Sequence, residues 1–75
     1  MLNMNRPWLA DQAGDTQLTR REIEVVRLVC HGFTNKVVAR ELGLSEGTVK
    51  IHLHNIYRKL RVRTRVALLN TLNGA

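Results

Sequence analysis

Cysteine, proline and aromatic side chains are almost absent from this chain of 75 residues, which has one cysteine (Cys30), one proline (Pro7) and one each of Trp, Phe and Tyr. A lone cysteine forms no intramolecular disulfide, which excludes a small secreted scaffold stapled by bridges and fits a reducing cytoplasm. Trp8, Phe33 and Tyr57 are too few to build a core, so the 44% hydrophobic content must pack mainly as Leu, Val and Ile. Long apolar runs are also missing. The longest, Val66-Ala67-Leu68-Leu69, is far short of the roughly 20 residues that a membrane-spanning helix needs. Met1 to Gln17 contains no apolar stretch of the signal-peptide kind. The second half of the chain, finally, lacks negative charge: Glu46 is the last acidic residue.

Beyond Glu46 the chain is basic, with Lys50, Arg58, Lys59, Arg61, Arg63 and Arg65 and nothing to offset them. The net charge is +6, and a surface of one sign on a small domain is the electrostatic footprint of a nucleic-acid binder. A solvated, solubilising face is the plainer reading of the same charges. The length is that of one domain, near the lower limit for a chain that folds without staples.

Helix signals divide the chain into a tail and a domain. Residues 1–17 are polar and aperiodic and read as a tail or linker, with Trp8 and Leu9 free to pack on the domain or on a neighbour. The domain is residues 18–75. Thr19-Arg20-Arg21-Glu22 has the form of a capping box that opens a first helix, which runs to about His31. Its core stripe reads as Ile23, Val26 and Cys30, with Val25 and Val29 beside it. Gly32 ends that helix, and Thr34 caps a second whose inner face is Val38, Ala39 and Leu42. Gly43 can take the left-handed conformation that stops a helix, and Ser45 caps the next at once. A turn of about three residues between two helices is the spacing of a helix-turn-helix, whose second helix enters a DNA groove. Thr64, after the basic connection Arg61-Val62-Arg63, caps a fourth helix through about Asn73. With no strand pattern, the predicted class is all-α, a four-helix bundle around a central helix-turn-helix.

Advancing about 100° per residue along the third helix gathers Val49, Leu53, Ile56 and Leu60 on one stripe. Gly47, Ile51, His54, Asn55 and Arg58 fall opposite, with Lys50 on the flank. Cations meet phosphates and guanine edges, amides meet adenine, and a branched apolar side chain meets the thymine methyl. Ile51 is the informative member, because a merely solvated face has little use for isoleucine, although isolated surface hydrophobes are common.

Leu18-Thr19-x-Arg21-Glu22, Gly32-x-Thr34-Asn35-Lys36, Leu44-Ser45-x-x-Thr48-Val49-Lys50-x-His52 and Asn55-Ile56-x-x-Lys59-Leu60 together resemble the LuxR-type (GerE-like) helix-turn-helix domain. The likeness covers Leu18 to about Leu72. It implies a four-helix DNA-binding domain of bacterial transcription regulators, cytoplasmic and nucleoid-associated, with the third helix (about 46–60) in the major groove. By position it makes Lys50, Ile51 and His54 base-contacting, and Thr48, Asn55, Arg58 and Lys59 backbone or mixed contacts. It implies double-stranded DNA as the partner, RNA polymerase as the machinery addressed, and a weak homodimer through the fourth helix. Val66, Leu68, Leu69 and Leu72 would carry that contact, since the apolar arc there is wider than one core stripe needs.

There are two departures from the family pattern. Val37 stands where family members often carry an acidic residue or Gln to complete a capping box with Thr34, and it points away from the inner stripe. Such domains also usually follow a receiver or signal-binding domain, and these 75 residues contain neither; an excised effector domain and a stand-alone regulator both fit.

Other chemistries are weaker. His52 and His54 point about 200° apart on a helix and do not chelate together. Cys30 reads as a small buried hydrophobe and His52 as a packed or capping residue. No nucleophile-and-base pair, carboxylate pair or Gly-rich phosphate loop is recognisable. The expectation is therefore no enzyme, no metal and no cofactor. Two alternatives stay open: a sigma-factor-like promoter-reading region, and a helical protein-interaction module that has lost DNA binding.

Overall fold

Thr19 opens the first helix through a closed capping box in the computed structural model, which describes residues 17–73. The Glu22 amide donates to Thr19 Oγ1 at 3.1 Å, and the Thr19 amide donates to Glu22 Oε1 at 2.8 Å. Two otherwise orphaned donors are thereby satisfied. The helix, α1, runs Arg20–Cys30. At its end the His31 Nδ1 lies 2.7 Å from the Arg27 carbonyl oxygen and donates to it, and the His31 ring stacks on Phe33. Gly32 comes next with φ 86°, the positive value for which glycine is suited.

The second helix, α2 (Asn35–Leu42), has Thr34 as its cap, accepting from the Val37 amide at 3.3 Å. Gly43 then turns left-handed at φ 68°, and the Leu44 amide reaches back to the Ala39 carbonyl at 2.8 Å, the closure of a Schellman motif. Ser45 accepts from the Thr48 amide at 3.1 Å and starts α3 (Glu46–Leu60). The predicted three-residue turn is therefore Gly43, Leu44 and Ser45. Arg61 ends α3, Thr64 caps α4 (Arg65–Leu72), and the described residues contain these four helices and no strand.

The core is aliphatic, as the shortage of aromatics required. Val25, Val26, Val29, Val38, Val49, Ile56 and Leu68 are almost wholly enclosed, and Leu18, Ala39, Leu53 and Leu72 complete the cluster. The α3 helix packs on both α1 and α2. Arg65 ties the start of α4 to the start of α2, donating to Asn35 Oδ1 at 2.8 Å and to the Phe33 carbonyl at 2.6 Å.

Three sequence expectations change, concerning α1, Val37 and α4. The buried face of α1 is Glu22, Val25, Val26 and Val29; Ile23 is half-buried and Cys30 is exposed. The true stripe is rotated by about one residue from the expected one, because its first member, Glu22, is charged and apolar periodicity does not count it. Cys30 is consequently no core residue. Leu60 and Leu42 do pack against the core, half-buried at its edge. Val37 is half-buried as well, less open than its angular position suggested. On α4, Leu68 and Leu72 are enclosed in the core, which leaves Val66 exposed and Leu69 half-buried on its outer side. The reading of residues 1–17 as a tail, with Trp8 and Leu9, lies outside the described residues except for Gln17.

Candidate nucleic-acid interface

The inner side of α3 determines what its outer side presents. Val49 and Ile56 are fully enclosed and Leu53 nearly so, and they lock the rotation of the helix against α1 and α2. Side chains on the opposite arc are then committed to solvent. Lys50, Ile51, His54 and Arg58 are all exposed, and Ile51 is 62% exposed among cationic and polar neighbours. Asn55 is half-buried at the margin of this face, and His52 is half-buried toward the core, as its angular position indicated. Thr48 occupies the first turn, where its hydroxyl lies 3.0 Å from the Ser45 hydroxyl.

Lys59 is not part of that face. Its Nζ lies 2.8 Å from Glu22 Oε1 and 3.1 Å from the Gln17 carbonyl oxygen, and its side chain is only 10% exposed. Burial pushes the Glu22 carboxyl up, but the hydrogen bond from Lys59, the Thr19 amide and the Lys59 charge outweigh it, leaving the group below its ordinary 4.5. Lys59 therefore serves as the counter-ion of a carboxylate enclosed at the α1–α3 contact, which leaves its ammonium turned away from the face expected to meet the DNA backbone. An enclosed carboxylate needs a cation brought to it, and here the cation comes from 37 residues further along the chain.

At the C-terminal end of α3, a cleft of about 520 Å³ is lined by His54, Tyr57, Arg58, Arg61, Val62 and Arg63. Arg61 and Arg63 belong to the basic run that the sequence offers without individual roles, and the fold carries them around to the same side as His54 and Arg58. A surface of cations with one apolar branched side chain at its centre suits a polyanion whose bases carry methyl groups. Among the described residues, no group of three or more His, Cys, Asp or Glu is placed to hold a metal ion, and no helix is long and apolar enough to cross a membrane.

A helix-turn-helix domain with an outward cationic face on its second helix is the class that this geometry defines. The family model of bacterial regulatory proteins, luxR family (GerE), matches residues 16–72, and the chain belongs to that family, which is one of regulators and not of enzymes. It is 50% identical over 50 residues to the nitrate/nitrite response regulator protein NarP of Escherichia coli, covering 67% of this chain and 23% of that protein. It is 44% identical over 59 residues to the response regulator protein TmoT of Ectopseudomonas mendocina, covering 77% of this chain and 27% of the relative. Among solved structures, the response regulator StyR superposes with a TM-score of 0.72 at 45% identity, covering 77% of this chain and 29% of StyR. The chain thus spans about a quarter of the length of the curated relatives it matches.

Proposed function

We propose that residues 18–75 form a sequence-specific, double-stranded-DNA-binding module of a bacterial transcription regulator, acting as the effector part of a response-regulator-like protein. The observation that carries this reading is the exposed face of α3, where Ile51 stands open between Lys50, His54 and Arg58 while the other side of the helix is sealed in the core. In this reading α3 lies in the major groove. Lys50, Ile51 and His54 meet base edges, and Thr48, Asn55 and Arg58 meet the backbone or bridge the two. The names of the relatives, a nitrate/nitrite response regulator and two further response regulators, support the regulatory role.

A weak homodimer through α4 extends the proposal. Val66, 68% exposed, and the half-buried Leu69 are the apolar residues left for a two-fold partner once Leu68 and Leu72 are enclosed. Two copies would address inverted half-sites about one helical turn apart. The place of action would be the bacterial cytoplasm, at the nucleoid, with RNA polymerase as the machinery addressed.

Binding to duplex DNA measured across a salt series tests the core of this proposal. With roughly five phosphate contacts per subunit, the log–log slope should lie near −4.5. Absence of duplex binding at low salt, or a flat response, would refute DNA binding and favour a protein-interaction module. Binding that required core polymerase would favour a promoter-reading role. Selection of bound sequences from a random duplex pool then defines the operator.

A further inference from the structure

Three helices of this domain end in the same way, α1 and α2 on glycine and α3 on arginine. At the end of α1 the left-handed position is Gly32, φ 86°, and the Phe33 amide closes on the Leu28 carbonyl at 3.3 Å. At the end of α2 the left-handed position is Gly43, φ 68°, and the amide after it closes on the Ala39 carbonyl. At the end of α3 the left-handed position is Arg61, φ 58°, and the Val62 amide closes on the Tyr57 carbonyl at 2.9 Å. Arg61 is the only non-glycine residue with positive φ among those described. A side chain with a Cβ is strained in that region and glycine is not, so the geometry alone would select glycine at all three places. Strain of this kind is retained where the side chain serves a purpose.

The position of Arg61 identifies the purpose. It is exposed, and it lines the cleft with Arg58, Arg63, His54 and Tyr57 at the end of the recognition helix. Among the described residues its guanidinium has no carboxylate partner, whereas Lys59, two residues earlier, is used up on Glu22. We propose that Arg61 is a phosphate-binding residue, holding the DNA backbone beyond the end of α3 from a strained position where glycine would fit the fold better. The cleft then extends the DNA footprint past the recognition helix onto the α3–α4 connection. The inference rests on the DNA-binding reading above. A cation at a helix C-terminus also complements the helix dipole, and this is the competing explanation for an arginine here.

The experiment compares Arg61→Gly, Arg61→Ala and Arg61→Lys with the unaltered 75-residue chain, reading thermal melting and the salt dependence of duplex binding. Loss of the contact should weaken duplex binding about tenfold in the Gly and Ala variants and make the log–log slope shallower by about 0.9. Arg61→Lys keeps the charge and should retain most of the affinity and the full slope. Arg61→Gly should melt no lower than the unaltered chain while binding less well, the signature of strain retained for binding. If the Gly and Ala variants keep the affinity and slope of the unaltered chain, the dipole explanation stands and the proposal is overturned. If the unaltered chain itself shows no salt-dependent duplex binding, the DNA reading fails, and that is seen before any variant is examined.

Discussion

Arg58 and Lys59 are neighbours near the end of α3, both cationic and both long, and the fold gives them opposite surroundings. Arg58 stands on the exposed side with Ile51 and His54, whereas Lys59 turns under the helix onto Glu22, in a contact where the carboxylate side chain is only 4% exposed. One step of about 100° separates a surface charge from an enclosed one. The same division runs the length of α3. Its inner arc is over-determined, with aliphatic side chains, a buried ion pair and packing against two other helices. Its outer arc faces solvent and can vary without disturbing the fold. The recognition role proposed for α3 needs both properties, since bases are read only by side chains whose position is fixed by something other than the bases.

The largest effect should come from the inner arc. Ile56 is fully enclosed, and Ile56→Ala removes several methyl groups from the place where α3 meets the core. A loss of about 3 kcal/mol is expected. Domains of this size have only about 4–11 kcal/mol in total, so chemical denaturation should show a much earlier midpoint. A midpoint shift below about 1 kcal/mol would mean that α3 is held by something other than this packing.

Next in size is the ion pair. Lys59→Met keeps the stem of the side chain and strands the Glu22 carboxylate, with an expected cost of about 2–3 kcal/mol. Glu22→Gln in the same chain should recover part of it. The pH dependence distinguishes the pair from simple packing. Because folding holds Glu22 below its ordinary 4.5, its contribution is present above that value and is lost as pH falls through the lower, folded value. The unaltered chain should therefore lose stability on acidification from just above pH 4.5 downward. In Lys59→Met that loss should shrink, because burial alone acts to raise the carboxyl. Equal acid sensitivity in both proteins would show that Glu22 does not depend on Lys59.

The outer arc should behave in the opposite manner. Lys50→Ala, Ile51→Ala and His54→Ala should leave stability within about 0.5 kcal/mol, since each side chain is exposed. Base preference should change, with discrimination falling by about 1–3 kcal/mol where a good contact is lost. Arg58→Ala should weaken binding to all sequences alike and make the salt slope shallower by about 0.9. Competitive binding to singly substituted operators separates the two behaviours. An inner-arc result from any of these, a lost fold with unchanged preference, would break the division.

How much of this was legible from sequence depended on whether local rules were sufficient. The four caps at Thr19, Thr34, Ser45 and Thr64 were readable because each is a hydrogen bond within four residues. The inner arc of α3 was readable because Val49, Leu53 and Ile56 are apolar at helical spacing. The role of Lys59 was not, since its partner lies 37 residues away and no local pattern links them. The α1 stripe was misplaced for the same reason: Glu22 belongs to it only because Lys59 arrives. Arg65 bonding to Asn35 and Phe33 across the fold was equally invisible, as was the left-handed backbone of Arg61.

The smallest predicted effect sharpens the comparison at α2, whose cap is half of the one on α1. On α1, Thr19 and Glu22 each satisfy the other's amide. On α2, Thr34 accepts from the Val37 amide, but Val37 has nothing to return, and the first turn carries no acidic residue. Val37→Glu would supply both the missing acceptor and a negative charge beside the positive helix end, together worth about 0.5–1 kcal/mol. Against this, Val37 is half-buried, and losing part of its apolar contact offsets about 0.5 kcal/mol. The balance is a gain of at most about 0.5 kcal/mol, a rise in melting temperature of roughly 2–4 °C. A clear fall in melting temperature would show that the partly covered methyl groups of Val37 outweigh a completed cap, placing this residue with the inner, structural side of the domain.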